Sequence, residues 1–305
     1  MSNWQVGFYL FLFRLFSRFV PRRLHPFFTA VGNPIVFSLM KKTREVVEGN
    51  LRVIGRGGYG EREVSKLAKR CFQNYSQKLL DYMSMHRLNM SNRWKLVDRE
   101  VGEEHLVRAL ERGKGVICIT PHLGNWELGG YVLASKGYPV NILTLREGSR
   151  SLNKYEERVR RRFGIHTIYI DPSREPNLAI LEIARKLREN QIIALIADRM
   201  VGDRWIEVEF FGRPTKFPLG PALLAMETGA SVIPVYVLLE KGMKYWGILE
   251  KPIHFRNSPQ GKGGGIRQGM SEIVQSFEAM ISRYPDQWYN FFPYWDEGKW
   301  VSAKK

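Results

Sequence analysis

"VICITPHLGNWELGG", residues 116–130, sets an apolar run against a short turn that carries Pro121, Gly124 and Asn125, with His122 and Glu127 inside it. The apolar run has the length of a buried strand, and the residues after the turn repeat at helical spacing. In open α/β sheets chemistry collects beyond the carboxyl ends of strands, and His122 follows "GVICIT" directly. Two readings compete. His122 caps a helix and Glu127 is an ordinary first-turn carboxylate, or the two form a proton-transfer pair. Successive helical residues turn by about 100°, so a five-residue offset does not stack two side chains. The pair meets only if His122 lies in the turn before the helix and Glu127 in its first turns. A histidine near neutral pKa can then take a proton from a hydroxyl while a carboxylate holds its other nitrogen. Free N–H groups at the helix start can receive an oxyanion.

Outward from this segment the chain alternates. Strand-like runs fall at 115–120, 140–145, 165–170, 192–197 and 231–239, with helical patterns at 125–136, 153–163, 176–190 and 218–228. This order predicts an α/β fold with a mixed, largely parallel sheet flanked by helices. Upstream, 61–88 carries apolar residues at helical spacing and 103–113 reads as a second helix closed by Gly113. No repeat or long linker divides the chain, which predicts one domain over 26–305 behind a distinct segment at 1–25.

That segment, "MSNWQVGFYLFLFRLFSRFVPRRLHPFF", carries Arg14, Arg18, Arg22 and Arg23 and no acidic residue. Its apolar core is far short of the ~20 residues that span a bilayer. Trp4, Phe8, Leu12, Leu15 and Phe19 share one side of a helix, as in an amphipathic helix lying in a membrane interface with arginines among anionic headgroups. A soluble helix packed on its own domain and a tilted span are the competing readings. Residues 1–50 hold seven Lys/Arg against Glu45 and Glu48, which points to the cytoplasmic leaflet of a membrane and a peripheral or monotopic protein. The basic residues follow the apolar segment, unlike a cleavable signal.

A chain of 305 residues can bury roughly three-quarters of its unfolded surface. Its 47 Lys+Arg against 30 Asp+Glu, net +17, call for partners bearing phosphate or carboxylate: nucleic acid, anionic lipid or an acidic protein. Cys71 and Cys118 form no CxxC pair, and Cys118 within "GVICIT" reads as a buried thiol. "GRGGYG", residues 55–60, satisfies G-x-G-x-x-G but follows "KKTREVVEGNLRVI", an amphipathic helix in place of the required strand, so it reads as a helix–helix loop. No metal motif accompanies His122, no G-x-S-x-G elbow is present, and nucleic-acid binding rests on charge alone. Neither a metal nor a cofactor is expected.

"PHLGNWELGG" resembles the active-site motif of the bacterial lipid A late acyltransferases (lauroyl/myristoyl acyltransferases), related to the phosphatidylinositol mannoside acyltransferases. The likeness continues through "EGNLRVI", "YEERVRRRFG", "ALIADRMVG", "VEFFGRPTKFPLGPALLAMETGASVIPV" and "PDQWYNFFPYW". It implies a glycerolipid acyltransferase-like fold. It also implies transfer of a fatty acyl group from an acyl thioester, on acyl carrier protein or coenzyme A, to a hydroxyl of a glycolipid such as a lipid A precursor. By this resemblance His122 matches the general base and Glu127 its orienting carboxylate. Asp198 in "ADR", with the adjoining Arg199, falls on an acidic position tied to activity; Arg160 or Arg162 matches an arginine before a glycine, and Arg146 a basic position after the second strand. Asn125 is expected among the substrate-binding residues. "EGSRS", 147–151, looks like the EGTRS-type motif of glycerol-phosphate acyltransferases but lies too close to His122, and the match is taken as coincidental. A non-catalytic basic protein that binds anionic lipid or carrier protein is the alternative.

Overall fold

The computed structural model of the chain describes residues 15, 19–85, 96–145, 150–170, 176–200, 202–255 and 261–296. The quoted apolar run forms β2 (Val116–Thr120), the middle strand of the sheet. Its residues alternate between two buried clusters. Ile117 and Ile119 face one, Val116 and Cys118 the other, which is the period-two geometry of a strand covered on both faces.

Around β2 lie β1 (Val97–Val101), β3 (Val140–Leu145), β4 (His166–Ile170), β5 (Ile192–Ile196), β8 (Ser231–Leu239) and β9 (Tyr245–Leu249), in the order β1-β9-β8-β2-β5-β3-β4. All pairings are parallel except β8 with β9. The mixed, largely parallel sheet expected from the alternation is present. A hairpin, β6 (Trp205–Phe210) with β7 (Arg213–Pro218), stands apart from it.

The helices are α1 (His25–Leu39), α2 (Lys41–Ile54), α3 (Glu61–Ser84), α4 (Glu103–Glu111), α5 (Trp126–Ser135), α6 (Arg150–Arg162), α7 (Pro176–Arg188), α8 (Gly220–Thr228) and α9 (Gly261–Arg283). Residues 55–60 form the loop between α2 and α3, as "GRGGYG" was read. One buried cluster gathers α2, the first half of α3 and α7 to α9; the other gathers α4 to α6.

The sequence pattern missed α1 and α9. The start of α9, "GKGGG", carries glycines that speak against a helix, and α1 contains Pro34. α1 is also inside out. Its buried residues are His25, Asn33 and Phe37, while Phe27, Val31, Ile35 and Leu39 are exposed. Most of the amphipathic helix expected at 1–25 lies outside the described residues. One part of that reading changes. Arg22, expected among lipid headgroups, donates from Nε and Nη2 to buried Asp81 at 2.7 and 2.9 Å, and Tyr245 and Gln77 donate to the same carboxylate. Arg22 therefore ties the chain leading into α1 to α3, because a bidentate partner at a buried carboxylate outweighs its solvation.

Candidate active site

β2 ends at Thr120 and the chain turns through Pro121, His122, Leu123 and Gly124 into α5. Gly124 makes the turn possible: its φ is +64°, and a Cβ there would lie 2.1 Å from the Val237 carbonyl oxygen. Asn125 follows as the N-cap of α5, its Oδ1 accepting the Leu128 N–H at 3.3 Å. Asn125 is fully buried, so its part here is to close the helix start.

The imidazole of His122 does not meet Glu127. Its Nδ1 lies 2.5 Å from Asp198 Oδ1, and the His122 backbone N–H donates to Asp198 Oδ2 at 3.0 Å. The sheet register explains the partner. Thr120 pairs with Ile196 on the adjacent parallel strand, so the residues two beyond each, His122 and Asp198, arrive side by side. Asp198 is fully buried and also accepts from Trp288 Nε1 at 3.0 Å and Asn290 Nδ2 at 3.4 Å, while the Tyr294 hydroxyl donates to its backbone carbonyl. Burial alone would raise its pKa. The charge and hydrogen bonds of His122, with Arg199, instead hold it well below the usual carboxylate range. Burial lowers the His122 pKa, and the cations Arg199 and Lys78 push the same way against Asp198. The ring therefore rests neutral, with Nδ1–H donated to Asp198 and the Nε2 lone pair left over.

Glu127 instead faces α6. Arg160 donates to it from Nη2 at 2.7 Å and from Nε at 3.4 Å, and Glu156 stands 3.8 Å from the same guanidinium. Among the arginines of "RVRRR" only Arg160 is buried, at 2% exposure, while Arg162 lies exposed. Arg199 donates to Asn290 Oδ1 and the Tyr289 carbonyl, both at 2.8 Å, and its guanidinium lies over Phe292. Arg146 lies outside the described residues. The residues that the sequence reading missed come from the C-terminal segment. The Tyr289 N–H donates to the His122 carbonyl at 2.8 Å and Gly124 N–H to that of Gln287 at 2.9 Å, so this segment clasps the histidine turn. Asn50 of "EGNLRVI" in turn anchors it, donating to the Asn290 and Phe292 carbonyls at 2.9 Å. The density of aromatic residues around Asn290 in "PDQWYNFFPYW" was the available signal.

Beside this dyad an apolar cavity runs between α5 and the sheet. Trp126, Glu127 and Arg160 contribute polar groups to its wall, and Gly129, Gly130, Leu133, Ile142 and Val237 line its apolar part. Cys118 also lines it, but burial pushes that thiol up to about 12, so it carries no thiolate to act as a nucleophile near neutral pH.

The family model for the bacterial lipid A biosynthesis acyltransferases matches residues 1–297. The chain belongs to that family. It is accordingly an acyltransferase, and the motifs that carried the resemblance now converge on one site. The acyltransferase is 28% identical over 224 residues to a phosphatidylinositol mannoside acyltransferase of Mycobacterium tuberculosis, covering 73% of this chain and 68% of that protein. A phosphatidylinositol mannoside acyltransferase of Mycolicibacterium smegmatis is 31% identical over 192 residues, covering 63% of this chain and 60% of its own length.

Proposed function

We propose that the acyltransferase moves a fatty acyl group from an acyl thioester, on acyl carrier protein or coenzyme A, to a hydroxyl of a glycolipid, with His122 as general base and Asp198 as the carboxylate that orients it. The observation that carries this reading is the 2.5 Å contact from His122 Nδ1 to a buried, ionised Asp198. It directs the Nε2 lone pair toward an incoming alcohol and stabilises the imidazolium that forms. The alcohol attacks the thioester carbonyl, the tetrahedral oxyanion collapses, and the thiol departs with the proton that His122 held. Among the N–H groups at the helix start that could receive the oxyanion, that of Asn125 drops out, because it already donates to the Val237 carbonyl at 2.7 Å. The N–H groups of Trp126 and Glu127, in the first turn of α5, have no acceptor within the helix and suit the role.

The cavity beside α5 suits an acyl chain, and the partly buried Glu127–Arg160 pair in its wall fixes α6 against α5. Glu127 thus acts on the shape of the site, a different part from the one the resemblance implied. The exposed apolar stripe of α1 and the net charge of +17 support work at the cytoplasmic face of an anionic inner membrane, on a lipid A precursor or a phosphatidylinositol mannoside. No helix among the described residues is long and apolar enough to cross a membrane.

His122→Ala is expected to abolish transfer from acyl thioesters to extracted glycolipids while circular dichroism and liposome binding stay at wild-type level. A fully active alanine variant overturns the mechanism. Lipid mass spectrometry of a deletion strain identifies the acceptor as the glycolipid that loses one acyl chain.

A further inference from the structure

Lys78 stands in the second half of α3, where the helix passes the histidine turn. Its ammonium lies 3.1 Å from the centroid of the Trp126 ring, with the Tyr75 and Tyr289 rings at 5.6 and 5.9 Å. Trp126 in turn meets His122 edge to face, ring centroids 5.2 Å apart. Lys78 is only 7% exposed, yet no acceptor among the described residues takes a hydrogen bond from it. Cation–π contact holds an ammonium in place without using its N–H donors. Its donors thus have little water and no protein acceptor among the described residues, which is costly unless something else supplies one. Glu127 exerts the main opposite-charge pull on Lys78, but Arg160 already occupies its carboxylate.

A second cation aggravates the cost. Arg199 sits close enough to repel Lys78, and both oppose protonation of His122. Burial and Arg199 bring the Lys78 pKa down to about 7, against the pull of Glu127 and Glu156. Two basic side chains held by their own scaffolds, one on aromatic rings and one on Asn290 and Tyr289, concentrate positive charge beside the base.

We propose that Lys78, with Arg199, forms an anion subsite that takes a phosphate oxygen of the substrate and so sets the reacting group against His122. The assignment rests on the acyl-transfer reading of the His122 site. Phosphate chemistry can come from either substrate: the phosphopantetheine arm of the donor or the phosphorylated headgroup of the acceptor. Either would supply the acceptor oxygens that the ammonium lacks.

Titration calorimetry of the full chain with inorganic phosphate tests this. The wild type is expected to show one saturable site, weakened at least about tenfold in Lys78→Met and in Lys78→Gln and kept in Lys78→Arg. His122→Ala should bind phosphate as the wild type does while losing acyl transfer, so failure of the subsite and failure of the catalytic reading register in different assays. Lys78→Met is also expected to melt no lower than the wild type, because it removes a buried charge without breaking a hydrogen bond. A lysine that served only to balance Glu127 would make that variant markedly less stable. Bound phosphate is then challenged with 4′-phosphopantetheine, standing for the donor, and with glycerophosphoinositol, standing for a headgroup. Displacement by the first assigns the subsite to the donor, by the second to the acceptor. Displacement by neither marks an adventitious ion only and overturns the proposal, as do unchanged binding in both Lys78→Met and Lys78→Gln or no saturable binding in the wild type.

Discussion

His122 and Asp198 work as one titrating unit because each lowers the cost of the other's buried state. The lowered pKa of His122 places the rising limb of kcat/KM below the ordinary histidine value of about 6.5, with activity level through neutrality. A pH–rate profile that is still rising at neutral pH would contradict this. Asp198→Asn preserves shape but loses the charge that orients the ring and steadies the imidazolium. A fall in kcat of about 100-fold or more is expected, measured as thioester turnover at saturating acceptor. The same carboxylate links folding to pH. Its native pKa lies below the unfolded value of about 3.9, so the unfolded state binds more protons as the solution becomes acid. The stabilisation is complete above that value and is lost as pH falls through the native one. Thermal melts across acid pH should flatten in Asp198→Asn.

Among the elements, α5 decides the most. Its start is set by Gly124 and Asn125, and its next turn carries two adjacent glycines, Gly129 and Gly130, at positions where alanine would favour the helix by about 1 kcal/mol each. What they provide is room. A Cβ on Gly130 would come 3.2 Å from Ile142 Cδ1, and one on Gly129 would come 3.1 Å from Val237 Cγ2, across the cavity that lies between α5 and the sheet. Gly130→Val is therefore expected to narrow the acyl cavity and shift preference toward shorter chains, read from competition between acyl thioesters of different length. Unchanged selectivity would place the acyl chain elsewhere. The β6–β7 hairpin has a different task. Phe210 packs against Trp288, Tyr294 and Trp295, holding the C-terminal segment over Asp198.

At the scale of the whole molecule the apolar stripe on α1 stands exposed, while the buried side of that helix carries His25 and Asn33 beside Phe37. Such an inversion suits a surface that meets lipid instead of water. Replacing Phe27, Val31 and Ile35 together by glutamate is expected to reduce sedimentation with anionic vesicles at least about tenfold, each exposed apolar side chain contributing on the order of 1 kcal/mol. Soluble-substrate turnover should persist, since none of the three reaches the His122 site. Arg22, clamped on buried Asp81, ties the start of this helix to α3, so the placement of the apolar stripe depends on one partly buried ion pair.

The local pattern by itself determined the strand β2, the turn at His122, the parallel sheet and the helix that Asn125 caps, because these follow from period, turn chemistry and capping within a few residues. Family membership was also legible, since a series of short motifs in order is specific without any geometry. Partner choice was not. Whether His122 meets Glu127 or Asp198 depends on which strands lie side by side and in what register, a property of the sheet as a whole. Strand β5 beside β2 delivers Asp198, while α6 packing on α5 takes Glu127 away to Arg160. Lys78 on its aromatic seat escaped notice for the same reason: helix periodicity marks it as one more lysine, and only the packing of α3 against Trp126 and Tyr289 buries its charge.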